Sequence, residues 1–181
     1  STASVTMSDA SFYCGRAYKV TVQATGINGG NGTFEQQSGI TTATPAADTG
    51  CNPSTLNIST GATSNLRWNS ATNTYDAIAK GAAAVLNNET LRAQLQTGAS
   101  GTDVNMNPTS DVVMSAAVTA TANACGNLTI LSGGYVNLSG NINYSSCTNS
   151  GSAFKAAAAS YIFQNSAITT KAGAVTFLSN S

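Results

Sequence analysis

The chain has 181 residues, no histidine, seven Lys+Arg and seven Asp+Glu, giving a formal net charge of zero with 8% charged residues. That balance leaves no basic stripe to neutralise phosphates, which argues against nucleic acid and anionic lipid headgroups as partners. It also withholds the side chain that most often moves protons at neutral pH, so a Ser–His triad is ruled out and an enzyme is not expected.

Ala, Thr, Ser, Asn and Gly fill the vacancy. Hydrophobic residues make up 41% but aromatics only 7%, so a core is possible in area yet built from thin side chains. The length suits a single domain spanning 1–181. No apolar run reaches the ~18 residues of a membrane span, and no signal peptide is visible. A secreted, processed product reads this way, and the expected location is extracellular or on a cell surface.

Near the start, Ala3, Val5 and Met7 alternate with polar residues, the mark of a short half-buried strand. Residues 1–8 are thus a candidate strand extension. Tyr18, Val20, Val22 and Ala24 repeat the pattern more strongly before a glycine-rich turn at 26–32. From 43 to 64 the chain reads as loop, with a short strand at Leu56–Ser59. Tyr75, Ile78, Ala79, Ala82, Val85 and Leu86 recur at helical spacing, which predicts one kinked helix or two over 74–97. Asn88 would cap the second, and Gly98 would close it at C′.

The period then changes to two. Val112, Met114, Ala116, Val118, Ala120 and Ala122 share one face of a predicted long strand. Leu128 and Ile130, then Val136, Leu138, Ile142 and Tyr144, read as a hairpin turning at Gly133-Gly134. Ala156 to Ala159 has high helix propensity, so 152–164 is predicted helical, and 174–178 is a final strand. No repeat of about 20 to 50 residues emerges, which argues against a solenoid. The sum is an α+β fold: a mainly antiparallel sheet with two or three helices on one side.

Four cysteines, Cys14, Cys51, Cys125 and Cys147, form no CxxC pair. Without histidine a zinc site is not expected, whereas two disulfides suit an oxidising compartment. Sequential pairing, Cys14–Cys51 and Cys125–Cys147, closes the shortest loops. The predicted hairpin strains the second pair, because it sets Cys125 opposite Ile142.

No constellation for catalysis, metal or cofactor stands out. The carboxylates show no spacing that pairs two across a cleft. Asp103, Asn105 and Asn107 alternate like a calcium loop but lack its glycine turn and distal glutamate, so a solvated loop is the better reading. Lys80 and Lys155 fall on predicted helices as ordinary exposed residues. Six N-x-S/T sequons, at Asn31, Asn57, Asn88, Asn127, Asn137 and Asn143, matter only in a eukaryotic secretory pathway. Arg67-Trp68-Asn69 could stack on and hydrogen-bond a sugar, against the plainer role of Trp68 as a core anchor.

The expectation is a structural subunit of an extracellular or cell-surface assembly, pilus-like or filamentous, whose partners are copies of itself. An uncharged surface lets copies pack without buried ion pairs, and Ala3–Met7 is the candidate strand for pairing with a neighbour's sheet edge. The alternative is a secreted adhesin or lectin-like module that binds surface glycans through Arg67, Trp68 and Asn69.

Overall fold

A computed structural model describes residues 51–79 and 81–180. Fourteen short strands and one helix follow in order among them. They are β1 (Leu56–Ser59), β2 (Leu66–Asn69), β3 (Thr74–Ala77), β4 (Ala84–Asn87), α1 (Asn88–Leu95), β5 (Val104–Met106), β6 (Val112–Met114) and β7 (Val118–Thr119). Then come β8 (Leu128–Ser132), β9 (Val136–Leu138), β10 (Ile142–Asn143), β11 (Phe154–Ala158), β12 (Ile162–Gln164), β13 (Ile168–Thr169) and β14 (Val175–Ser179).

The chain winds as a three-faced β-solenoid. Strands β5, β6 and β7 make one turn, β8, β9 and β10 the next, and β11, β12 and β13 the third. Each turn lays its strands parallel on those of the turn before. The register runs Val104 to Leu128 to Phe154 on one face, Val112 to Val136 to Ile162 on the second, and Val118 to Ile142 to Ile168 on the third. The resulting sheets are ordered β14-β11-β8-β5-β3-β2, β12-β9-β6-β1-β4 and β13-β10-β7. The β2–β3 pairing is antiparallel; every other strand pair is parallel.

Side chains that stack in register fill the interior. Val104, Leu128, Ile130, Val136, Leu138, Ile142 and Phe154 are fully buried. Because side chains alternate across a strand, Met106, Met114 and Val112 also point inward while their neighbours face solvent. Stacking like on like keeps each column at van der Waals contact across the strand spacing of about 4.8 Å. The thin-cored character expected from composition is offset in this way, because buried apolar side chains of successive turns share a register.

The antiparallel α+β expectation is therefore overturned. Residues 74–77 and 84–87 are strands, and only 88–95 are helical. The helical spacing of Tyr75 to Leu86 came from two four-residue strands separated by a turn, each too short to show its own period. Residues 152–164 hold β11 and β12 instead of a helix. Phe154, Ala156 and Ala158 turn inward while Lys155 and Ala157 turn out, and ladders to β8 and β14 on both sides outweigh alanine's helix propensity. The predicted long strand from Val112 breaks into β6 and β7 at a corner around Ser115–Ala117.

Gly133-Gly134 is likewise a corner between two faces, not a hairpin turn, so β8 and β9 lie in different sheets. Corner hydrogen bonds stack from turn to turn: Gly133 N–H donates to the Pro108 carbonyl (3.1 Å) and Ala159 N–H to the Ser132 carbonyl (3.0 Å). The strands expected at Leu56–Ser59 and near 174–178 are present.

Among the described residues one disulfide joins Cys125 to Cys147, with Cα atoms 5.7 Å apart. In a solenoid a separation of 22 residues is close to one full turn, so the chain brings the two cysteines back together without the hairpin that would have parted them. Cys51 is not a free thiol, and Cys14 lies outside the described residues. No described helix is long and apolar enough to cross a membrane.

Candidate functional site

The two ends of the described solenoid are finished differently. At the N-terminal end α1 lies over β7 and closes the third face. Its N-cap is Asn87, not Asn88: the Asn87 side chain accepts from the N–H groups of Glu89 (3.0 Å) and Thr90 (3.1 Å). Asn88 is buried and donates from Nδ2 to the Ala117 carbonyl at 2.7 Å. Gln96 is the C-cap, which puts Gly98 one position beyond the expected C′. Gln96 also reaches the sheet, donating to the Thr121 carbonyl (2.9 Å) and accepting from its hydroxyl (3.1 Å).

At the other end, β14, β12 and β13 are the last strands of their sheets. Val175 and Phe177 occupy the inward register positions of Phe154 and Ala156, yet they are 41% and 37% exposed where those two are 0% exposed. Ile162 and Ile168 are only partly buried against the core. Gln164, one turn beyond the buried Leu138, faces water. The last apolar layer is thus only partly covered here, with no charged side chain on β12, β13 or β14.

Two further surfaces stand out on the solenoid's flanks. On the outer side near β9 and β12, Tyr135 stacks on Tyr161 with centroids 5.6 Å apart, and Phe163 meets Tyr161 edge-on at 4.6 Å. On the outer side of the six-stranded sheet, a cavity of about 410 Å³ is lined by Asn69, Thr74, Asp76, Asn105, Asn107 and Leu131, among others. Asp76 sits on β3 rather than at a helix start. It accepts from Asn69 Nδ2 (2.8 Å) and from the Thr74 hydroxyl (2.7 Å). Asn107 Oδ1 is buried without a hydrogen-bond partner.

The expected sugar-binding loop 67–69 is strand β2, and alternation divides it. Trp68 turns inward, packs on the core and meets Tyr75 edge-on at 5.1 Å. Arg67 and Asn69 turn outward, and Asn69 joins Asp76 in the cavity. The calcium-like run is also a strand: Asn105 and Asn107 flank the buried Met106 on or next to β5, and Asp103 bonds Asn127 on the next turn. Lys155 is exposed on β11, and Lys80 lies outside the described residues. Ala3, Val5 and Met7, the expected self-association strand, also lie outside them. Among the described residues no cluster of three His, Cys, Asp or Glu is close enough to hold a metal ion.

Sequence reasoning missed both the open end and the cavity. The signal for the first was confined to one inward column, where Met114 and Leu138 give way to Gln164. Asn69, Asn105 and Asn107 stand out locally, but as parts of a sugar-binding loop and a calcium-like run; that they share one cavity with Asp76 follows only from the fold. No family model matches the chain, and no match is found among curated proteins or solved structures.

Proposed function

We propose that the chain is a structural subunit of an extracellular or cell-surface assembly, and that it associates with a second copy of itself through the open end of its solenoid. The observation that carries this reading is the exposure of Val175 and Phe177 at positions that are buried one turn earlier. Strand edges offer unpaired N–H and C=O groups to any extended segment, and proteins usually blunt them with lysine, proline or a covering loop. Strand β14 reads Val-Thr-Phe-Leu-Ser and has none of those guards in its sequence.

A disulfide between successive turns suits life in an oxidising compartment. Zero net charge suits close packing of identical copies. The reading assigns the protein no reaction. Its donor strand, expected within residues 1–8, is a proposal of the same standing.

Light scattering with negative-stain electron microscopy tests it. Dimers or filaments that dissolve to monomers in Val175→Lys/Phe177→Lys support the reading, and deleting residues 1–8 then asks whether the strand is donated from there. A wild-type chain that stays monomeric at high concentration overturns it.

A further inference from the structure

The cavity on the six-stranded sheet lies on a flank of the solenoid and is independent of the open end. We propose that it binds a neutral saccharide, held by Asp76, Asn105 and Asn107 with Leu131 as the apolar wall. Four observations carry this.

The first is size and shape. About 410 Å³ falls at the small end of ligand cavities and admits one or two pyranose rings. The second is composition. Asp76 is the one ionisable side chain among the lining residues apart from the disulfide-bonded Cys51, and the rest of the wall is amide, hydroxyl and aliphatic. Amides both donate and accept, which is what vicinal hydroxyls require. A phosphate, sulfate or uronate would meet the Asp76 carboxylate, whose cross-strand neighbour Arg67 is not among the lining residues.

The third is unspent capacity. Asp76 is pre-oriented by Asn69 and Thr74, and each carboxylate oxygen keeps room for a second donor. Asn107 Oδ1 has no partner at all. An unpaired buried acceptor is unfavourable, and turning the amide toward the cavity would let a sugar hydroxyl donate to it. The fourth is the wall opposite. Leu131 is 42% exposed, an outward leucine at the edge of a polar cavity, and the C–H face of a pyranose is the surface that covers it.

A divalent cation fits less well. Asp76 is the one carboxylate that lines the cavity, where a calcium site gathers several oxygen ligands with more negative charge.

Saturation-transfer-difference NMR on the intact protein, with glucose, galactose, N-acetylglucosamine and galacturonate as probes, tests the inference. At least one neutral sugar should receive saturation, and galacturonate should not. Asn107→Leu removes the orphaned acceptor and keeps the heavy-atom count and branching, so it should fold with an unchanged or higher Tm while binding falls at least tenfold. Asp76→Asn should weaken binding similarly, and Tyr161→Ala, on another flank, should leave it intact. Saturation of no neutral sugar overturns the proposal. So does binding that survives both cavity substitutions, equal binding of galacturonate, or a calorimetric signal with calcium chloride alone.

Discussion

Asp103 and Asn127 hold equivalent places on successive turns, and Asp103 Oδ1 accepts both the backbone N–H of Asn127 (2.8 Å) and its side-chain Nδ2–H (3.0 Å). Asn127 repeats the device upward, its Oδ1 accepting Ala153 N–H at 2.8 Å. Elsewhere Asp111 serves Tyr135 N–H (3.1 Å) and Asn141 serves Ala167 N–H (3.0 Å). At these corners the backbone bends away from its ladder, and a side-chain oxygen supplies the missing acceptor. This explains part of the Asn bias of the composition: Asn is a short acceptor that adds no charge when stacked.

Asn127→Ala should therefore lower unfolding free energy by about 1–2 kcal/mol, since Ala153 N–H loses its acceptor and Asp103 Oδ1 loses one of its two donors. Asn127→Asp should cost more at neutral pH, because it sets a second carboxylate against Asp103. Urea titrations of the three proteins check the order. Equal stabilities would mean that the corner ladder contributes nothing. The same bonds make the Asn127 sequon a poor glycan acceptor, whereas Asn57 is exposed on β1 and makes no such ladder contact.

Tyr144 is 1% exposed and its hydroxyl has no hydrogen-bond partner. Tyr144→Phe keeps the ring and removes the unsatisfied group, so it should stabilise the protein, by about 1 kcal/mol. The pH dependence follows from the same burial. Desolvation pushes Tyr75 up to about 12 and raises Tyr144 as well, against about 10 in an unfolded chain. The unfolded state loses these protons first. Stability from the two tyrosines is thus complete below about pH 10 and is lost as pH rises through the folded values. Denaturant midpoints measured from neutral to strongly alkaline pH should fall over that window, and fall less in Tyr144→Phe.

The bridge between Cys125 and Cys147 ties one turn to the next. Cys125→Ala/Cys147→Ala should lower stability by roughly 3 kcal/mol if loop entropy in the unfolded state is the main term. A loss well below that would mean that stacking already holds the turns in the unfolded ensemble. Calorimetry of the double variant against wild type, both non-reduced, gives the answer.

Why the solenoid was hidden in the sequence follows from its columns. Val112, Val136 and Ile162 are alike, and so are Val118, Ile142 and Ile168, but their spacing is 24 residues and then 26. Other columns drift in volume, as Met106, Ile130 and Ala156 do. Strands of two to five residues are too short for an alternation test, so neighbouring strands fuse into a false helix or a false long strand. What remained legible was local: the β1 and β14 segments and the partner of Cys125. The cavity was not legible because Asn69, Asp76 and Asn107 meet only through the fold, while Trp68, the residue that stood out, is spent on packing.

Small residues at the turns are the last constraint, and they make a sharp prediction. A Cβ on Gly140 would collide with the Ala116 backbone carbonyl of the turn before, and one on Gly126 would collide with that of Thr102. Neither obstacle is a flexible side-chain tip, so the successive turns would have to move apart. Gly140→Ala should then destabilise by about 1–3 kcal/mol, the usual cost of forcing an extra methyl into a filled space. Gly61 is the control, because there a Cβ would meet only the Ser59 and Val85 side chains, at 3.2 and 3.8 Å, and Gly61→Ala should be nearly neutral. Thermal unfolding of both variants separates the cases. Similar losses at the two sites would mean that backbone entropy, not contact between turns, selects glycine at Gly140.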